Sequence, residues 1–253
     1  MKLKDGFILR EIAGRVIAVE AFFASTRMFC EDYLCEAMPD FSVTLTPQDI
    51  DNEQITRNRE RALEGLPLKL IDSSLYEQTA LQRKIAEKFF EYDTLLFHGS
   101  VVAVDGEGYL FTAKSGTGKS THTRLWREML GERATMVNDD KPFLRVMADG
   151  IQVFGSPWNG KHGLGNNMDV PLKAICILDR GEQNEICRIS ASEAVPMLLQ
   201  QSNRPQQTAL LPKYLDILEN IANKVAFYRL KCNMDPEAAM ISYQTMSGGV
   251  KEN

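Results

Sequence analysis

The run Ala113-Lys114-Ser115-Gly116-Thr117-Gly118-Lys119-Ser120 constrains this chain more than any other stretch of it. A strand-like segment, Tyr109 to Ala113, enters the run, and a helix-like segment, Lys119 to Leu130, leaves it. Glycines at 116 and 118 let successive backbone N–H groups turn inward around an anion with no Cβ in the way. The N-terminus of the following helix adds its partial positive charge. Lys119 is placed to reach the outer phosphates of a nucleotide, and the Ser120 hydroxyl to ligate magnesium. The run therefore predicts a site for a nucleoside triphosphate. Its expected contacts are Ser115, Gly116, Thr117, Gly118, Lys119, Ser120 and Thr121. The first glycine of the common G-x-x-x-x-G-K-[ST] pattern is replaced by Ala113, a departure from the ordinary GTPase and motor-ATPase form that leaves the cradle intact.

The surroundings of the loop predict antiparallel strands. Phe97 to Val104 is apolar and β-branched, then comes Asp105-Gly106-Glu107-Gly108, then Tyr109 to Ala113, which together read as a β-hairpin. Thr135 to Val137 reads as a strand ending at Asn138-Asp139-Asp140-Lys141-Pro142. Phe143 to Met147 and Ile151 to Phe154 read as a second hairpin across Ala148-Asp149-Gly150. In most phosphate-loop proteins the strand feeding the loop belongs to a parallel βαβ unit. Here it reads as the second arm of a hairpin.

His98-Gly99, the loop S-G-T-G-K-S, Asn138-Asp139-Asp140 and Gly163-Leu164-Gly165 together resemble the catalytic domain of HPr kinase/phosphorylase, and more distantly the nucleotide core of phosphoenolpyruvate carboxykinase. The resemblance covers about residues 95–180 and continues weakly towards the C-terminus. As a whole the chain looks most like little-characterised HPr-kinase-like bacterial proteins, some of which accompany peptide-modification gene clusters. The resemblance implies an α/β fold with a P-loop core carrying antiparallel hairpins, ATP and Mg2+ as cofactors, and transfer of the γ-phosphoryl group to a hydroxyl. It further implies Asp139 as the catalytic base, Asp140 as a metal ligand beside Ser120, His98 next to the active site, and Lys161 on a loop approaching the phosphates. Which carboxylate is base and which is metal ligand stays open. Where HPr kinase has Glu-x-Arg before the Gly-Leu-Gly, this chain has Gly160-Lys161-His162, so neither HPr as acceptor nor phosphorolysis is carried over.

Phosphoryl transfer needs charge neutralisation and alignment more than covalent work, which suits Lys119 and an adjacent pair of carboxylates at a strand end. A rival carboxylate is Asp179, at the end of the apolar run Ala174 to Leu178. That run also reads as a core strand closed by the turn Asp179-Arg180-Gly181, which is the preferred reading. His122 reads as a surface or packing residue and Arg204 as an ordinary exposed arginine. His162 lies in the Gly160 to Gly165 loop, whose glycines and lack of apolar anchors predict a mobile segment.

Residues 1–75 are expected to form a small β-rich appendage and residues 76–253 the catalytic domain. In the first part, Gly6 to Ala24 and Phe41 to Thr46 are strand-prone, and Asp49 to Glu64 is a loop or solvated helix. Tyr76 to Tyr92 has helical apolar spacing. Helices are predicted at Ala191 to Gln201, Pro212 to Ala222 and Pro236 to Met246, with a strand at Val225 to Leu230. A formal net charge of −5 argues against a nucleic-acid partner. No stretch is apolar enough to span a bilayer, no export signal is apparent, and the five cysteines lack zinc spacing, so a cytoplasmic protein with reduced thiols and no membrane partner is expected. The leading reading is a kinase acting on a hydroxyl, serine first, of a peptide, protein or small molecule. The competing one is a nucleotide-sensing module with little turnover. Carboxykinase chemistry has no second domain here to hold an organic acid, and a homo-oligomer is left open.

Overall fold

The computed structural model describes residues 8–63, 65–68, 71–114 and 116–248. They divide into two compact units, one up to Lys88 and one from Phe89 onward, so the division falls C-terminal to the boundary expected after residue 75.

In the first unit, β1 (Ile8–Ile12) and β2 (Arg15–Glu20) form a hairpin, and β3 (Phe41–Thr44) adds in parallel to β2. The expectation of a β-rich part at residues 1–75 is corrected by the helices α1 (Ala24–Phe29) and α2 (Pro47–Leu63), while α3 (Ser73–Phe89), of 17 residues like α2, is the helix expected over Tyr76 to Tyr92. The polar stretch in α2 is helical because its start is well made. Thr46 and Asp49 exchange side-chain-to-backbone hydrogen bonds, Thr46 N to Asp49 Oδ2 at 2.8 Å and Asp49 N to Thr46 Oγ1 at 3.3 Å, with Pro47 as the first helical residue. Arg83 of α3 forks onto Glu53 of α2, with Nη2 to Oε2 at 2.9 Å. The fully buried carboxylate of Glu77 accepts the N–H groups of Phe22 and Phe23 at the start of α1.

The second unit is a nine-stranded mixed sheet covered by helices on both faces. Its strands are β4 (Thr94–Leu96), β5 (Ser100–Val104), β6 (Glu107–Thr112), β7 (Ala134–Asn138), β8 (Phe143–Met147), β9 (Gly150–Phe154), β10 (Asp169–Arg180), β11 (Glu185–Ile189) and β12 (Ala226–Cys232). They lie in the order β4-β8-β9-β10-β6-β5-β7, with β12 pairing both β10 and β11. Both expected hairpins are present. β5 and β6 turn through Asp105 and Gly106, both left-handed at φ 52° and 84°, the type I′ turn that matches strand twist. β8 and β9 pair from Phe143↔Phe154 to Met147↔Gly150. The loop strand β6 has two kinds of neighbour: it is antiparallel to β5, as expected, and parallel to β10.

Side chains alternate across the sheet, and each face has its own core. Val101 and Ala103, Leu110, and Ile175 and Ile177 pack towards α5 (Ala191–Gln201) and α6 (Leu211–Lys224). Val102 and Val104, Tyr109 and Phe111, and Ala174, Cys176 and Leu178 pack towards α4 (Lys119–Leu130) and α7 (Pro236–Met246). Burial on both faces is why these strands read as unbroken apolar runs rather than alternating ones. The helices and the strand β12 fall where the C-terminal sequence predicts them, within a few residues. Among the described residues no helix is long and apolar enough to cross a membrane, and all five cysteines are free.

Candidate functional site

β6 ends at Thr112, and the chain wraps through Gly116 and Gly118 before α4 starts at Lys119. Both glycines have positive φ, 75° and 120°, and a Cβ on either would meet nothing within 4 Å, so the requirement for glycine is conformational rather than steric. The Thr117 hydroxyl and amide both donate to the Lys114 carbonyl, at 2.8 and 3.2 Å, which closes the loop on itself. Ser115 lies outside the described residues.

A cavity of about 410 Å³ opens over the loop. Gly116, Gly118, Lys119, Ser120 and Thr121 form one wall; His98, Asp139, Asp140, Gly160, Lys161 and His162 form the others. The expected site residues 98, 116, 118–121, 139, 140 and 161 thus meet in one place. Thr117 does not line this cavity.

Consecutive residues in a strand point to opposite faces, so an Asp-Asp pair needs a reason to share a cavity. Asn138, fully buried at the end of β7, supplies it. Its Oδ1 accepts the N–H groups of Asp140 (2.8 Å) and Lys141 (2.6 Å), which takes the chain out of strand geometry just where the carboxylates begin. Its Nδ2 donates to Asn159 Oδ1 (2.8 Å), Ser156 O (3.1 Å) and Ser156 Oγ (3.2 Å). A second strap brings in the histidine. Phe97 N donates to Pro142 O and Gly99 N to Asp140 O, both at 3.0 Å, and Thr112 Oγ1 donates to His98 O at 3.0 Å. His98 Nε2 then lies 3.2 Å from Asp140 Oδ1.

The two carboxylates differ in environment. Asp139 is 5% exposed; Ser100 Oγ lies 2.9 Å from its Oδ1, and the Ser120 hydroxyl is near enough to favour its ionised form. Burial pushes its proton affinity above the ordinary carboxylate value, against the pull of those hydroxyls and of nearby His162. Asp140 is half-buried, and the partial loss of water that would raise it is more than offset by the hydrogen bond from His98 and the charges of Lys141 and Lys119, which hold it below the ordinary value. Burial lowers Lys119, opposed by the two carboxylates, and its Nζ lies 3.5 Å from Ala113 O. Burial also lowers Lys141, opposed by Asp140.

Of the two carboxylates, Asp139 is the one that feels the Ser120 hydroxyl, while Asp140 pairs with His98. Asp179 lines no part of the cavity; its Oδ2 lies 3.5 Å from Arg229 Nη1, as befits the end of a core strand. His122 is buried, held by Ser242 and the rings of Phe111 and Trp126, so it packs rather than lying at the surface. The 160–165 loop is tied down more than its glycines suggest. Leu164 packs against the α4–α7 core, Gly165 bridges to Asn138, and a Cβ on Gly165 would fall 2.0 Å from Asn159 Oδ1. The lack of apolar anchors expected there is therefore corrected.

Sequence reasoning missed Ser100, Lys141 and the organising part of Asn138. Ser100 carried a signal, a hydroxyl inside an otherwise apolar strand. Lys141 and Asn138 carried none beyond their place beside the carboxylates. Among the described residues no group of three or more His, Cys, Asp or Glu is arranged to hold a metal. Magnesium makes a smaller demand, one or two carboxylates beside a hydroxyl, phosphate oxygens and waters, and Ser120 with the Asp pair fits that.

No curated protein matches the chain. A solved structure of the Hpr(Ser) kinase/phosphatase from Coxiella burnetii is similar over 61% of this chain and 99% of that one, at 12% identity and a TM-score of 0.37. A family model described as SynChlorMet cassette protein ScmC matches residues 72–242. That match takes in the phosphate loop, the Asp pair, the 160–165 loop and more than half of the sequence, so the chain belongs to the ScmC family.

Proposed function

We propose that this chain is an ATP-dependent phosphotransferase that moves the γ-phosphoryl group to a hydroxyl, serine of a peptide or protein or the hydroxyl of a small molecule. The observation that carries the reading is the single cavity in which a glycine-turned loop, Lys119 and Ser120 face two unlike carboxylates and a histidine. Nucleotide capture needs only the loop. A proton acceptor opposite it is what transfer requires and a nucleotide sensor does not.

In this reading Lys119 and the loop N–H groups hold the outer phosphates and neutralise charge moving onto the leaving oxygen. Bound magnesium would supply further charge neutralisation at the phosphates, held by Ser120 and a carboxylate. Asp139, whose burial strengthens it as a base, takes the proton of the acceptor hydroxyl. The acceptor oxygen bonds to the γ-phosphorus, the bond from that phosphorus to the β,γ-bridging oxygen breaks, and ADP leaves. Asp140, kept ionised by His98, Lys141 and Lys119, completes the metal side, and Lys161 approaches the transferred group from the facing loop. A second reading exchanges the two aspartates. The nearness of Ser120 to Asp139 favours it, since a phosphate-loop hydroxyl and a neighbouring carboxylate commonly share one ion.

The test is transfer of labelled phosphate from ATP with magnesium to Ser/Thr peptides and small hydroxyl compounds, by wild type and Lys119→Ala. Transfer by wild type, abolished in the variant together with weakened ATP binding, is expected. Tight ATP binding without transfer to any acceptor, or to water, favours the sensor; equal transfer by the variant removes the loop from the mechanism.

A further inference from the structure

The phosphate loop has a second side. There it borders another cavity, of about 560 Å³. Gly116, Gly118 and Thr121 line both cavities, so the loop is a shared wall and a ligand crossing it can occupy both. The chemistry of the two sides differs. The first is walled by lysine, aspartate and histidine side chains. The second is walled by Leu125, Leu178, Cys232 and Met234, with His122 and a single charged side chain, Arg180.

Its place in the sheet points the same way. β6, β10 and β12 run parallel side by side, and the cavity is bounded by the segments at and just past their C-terminal ends: the loop after β6, Arg180 and Gly181 at the end of β10, and Cys232 to Met234 at the end of β12. Crevices outside the carboxyl ends of parallel strands are where open α/β sheets bind nucleotides. Arg180 closes the join, its Nη2 donating to the Gly116 carbonyl at 2.6 Å. His122, on the inner edge of this cavity, is held from behind: the Ser242 hydroxyl donates to Ala238 O at 2.8 Å, so it receives the proton of His122 Nε2 at 3.1 Å, and the buried Nδ1 has no partner among the described residues.

We infer that this second cavity takes the nucleoside of the phosphoryl donor: the base lies against Leu125, Leu178 and Met234, and the phosphates cross the loop at Gly116–Gly118 into the charged cavity. The inference rests on the phosphotransferase reading for its ligand and adds where the rest of that ligand sits. Volume and lining suit it, since sites for heterocycles of this size are mostly apolar clefts with a few fixed polar groups. Inorganic tripolyphosphate shares the phosphates of ATP and lacks the nucleoside, so it separates the two cavities.

Calorimetric titration of the full chain with magnesium-ATP and with magnesium-tripolyphosphate, for wild type and Cys232→Trp, tests this. The indole is expected to weaken ATP by about tenfold or more and to leave tripolyphosphate within about twofold. Because Cys232→Trp could disturb the end of β12, a second measurement uses the native chain. Iodoacetamide labelling of Cys232, followed by peptide mass mapping, is expected to slow with ATP and not with tripolyphosphate. If ATP neither slows labelling nor responds to the indole more than tripolyphosphate does, the nucleoside lies elsewhere and the inference fails while the phosphate site stands. If neither ligand binds wild type, the phosphotransferase reading falls, and this inference with it.

Discussion

Asp139 and His122 are two titratable side chains that the fold holds in their neutral direction, with opposite consequences for stability. Burial raises Asp139 above an unfolded carboxylate, so its contribution to stability is present in acid and is lost as pH rises through the folded-state value. Asp139→Asn is expected to melt higher than wild type at neutral pH, with the gap closing below about pH 4, while transfer falls by a factor of about a hundred or more and ATP binding remains. Loss of magnesium-dependent binding instead would move Asp139 to the metal side. Burial lowers His122 from 6.5 to about 4, so its contribution is present above pH 6.5 and is lost as pH falls towards 4. Urea melts at pH 7 and pH 5 should show a steeper loss in wild type than in His122→Phe; parallel losses would place the proton elsewhere. The Asp pair and His98 were legible because their chemistry is written in residue type beside a recognisable loop. Asn138 was legible only as a neighbour. Its part, bending the chain so that adjacent carboxylates face one cavity, is a matter of hydrogen bonds that no spacing encodes.

At the scale of elements, the helix that opens on the phosphate loop is fixed from behind by one hydroxyl. Ser242 of α7 accepts from Trp126 Nε1 at 2.9 Å and from His122 Nε2 at 3.1 Å, both on α4, at a fully buried position. Ser242→Ala leaves two buried donors without an acceptor, and should cost roughly 2–5 kcal/mol in chemical denaturation. A loss under about 0.5 kcal/mol would mean that the donors find other partners. The hairpins, α5 and α7 were legible because turn residues, a capping box at Ser190 and Glu193, and a proline in the first turn mark their ends locally. In the first unit the stretch of α2 reads as a loop or a solvated helix for a matching reason: it carries no apolar stripe, and its helical state is set by an end structure at Thr46 and by the pairing of Glu53 with Arg83. The parallel neighbour of β6 was not legible. A strand's own sequence specifies which faces are buried, and here both are, but not which distant strand lies alongside.

At the scale of the whole molecule, all residues lining both cavities belong to the unit that starts at Phe89. Ligand at a hundred times its Kd adds about 2.7 kcal/mol to the state that binds it. Scanning calorimetry with magnesium-ATP is therefore expected to raise the transition of that unit and leave that of residues up to Lys88 in place. A uniform shift would show that the two unfold together. The strand order has a consequence in time as well. The phosphate loop is made early in the chain, but β6 meets its parallel partner only at β10, and the crevice beside the loop closes only with β12, far along the sequence. During synthesis a ribosome-bound intermediate already exposes the glycine turn and Lys119 while their partners are still unmade. On the proposed reading, the crevice for the nucleoside is complete only once Cys232 has emerged, so full-length ligand stabilises the unit only late in its synthesis.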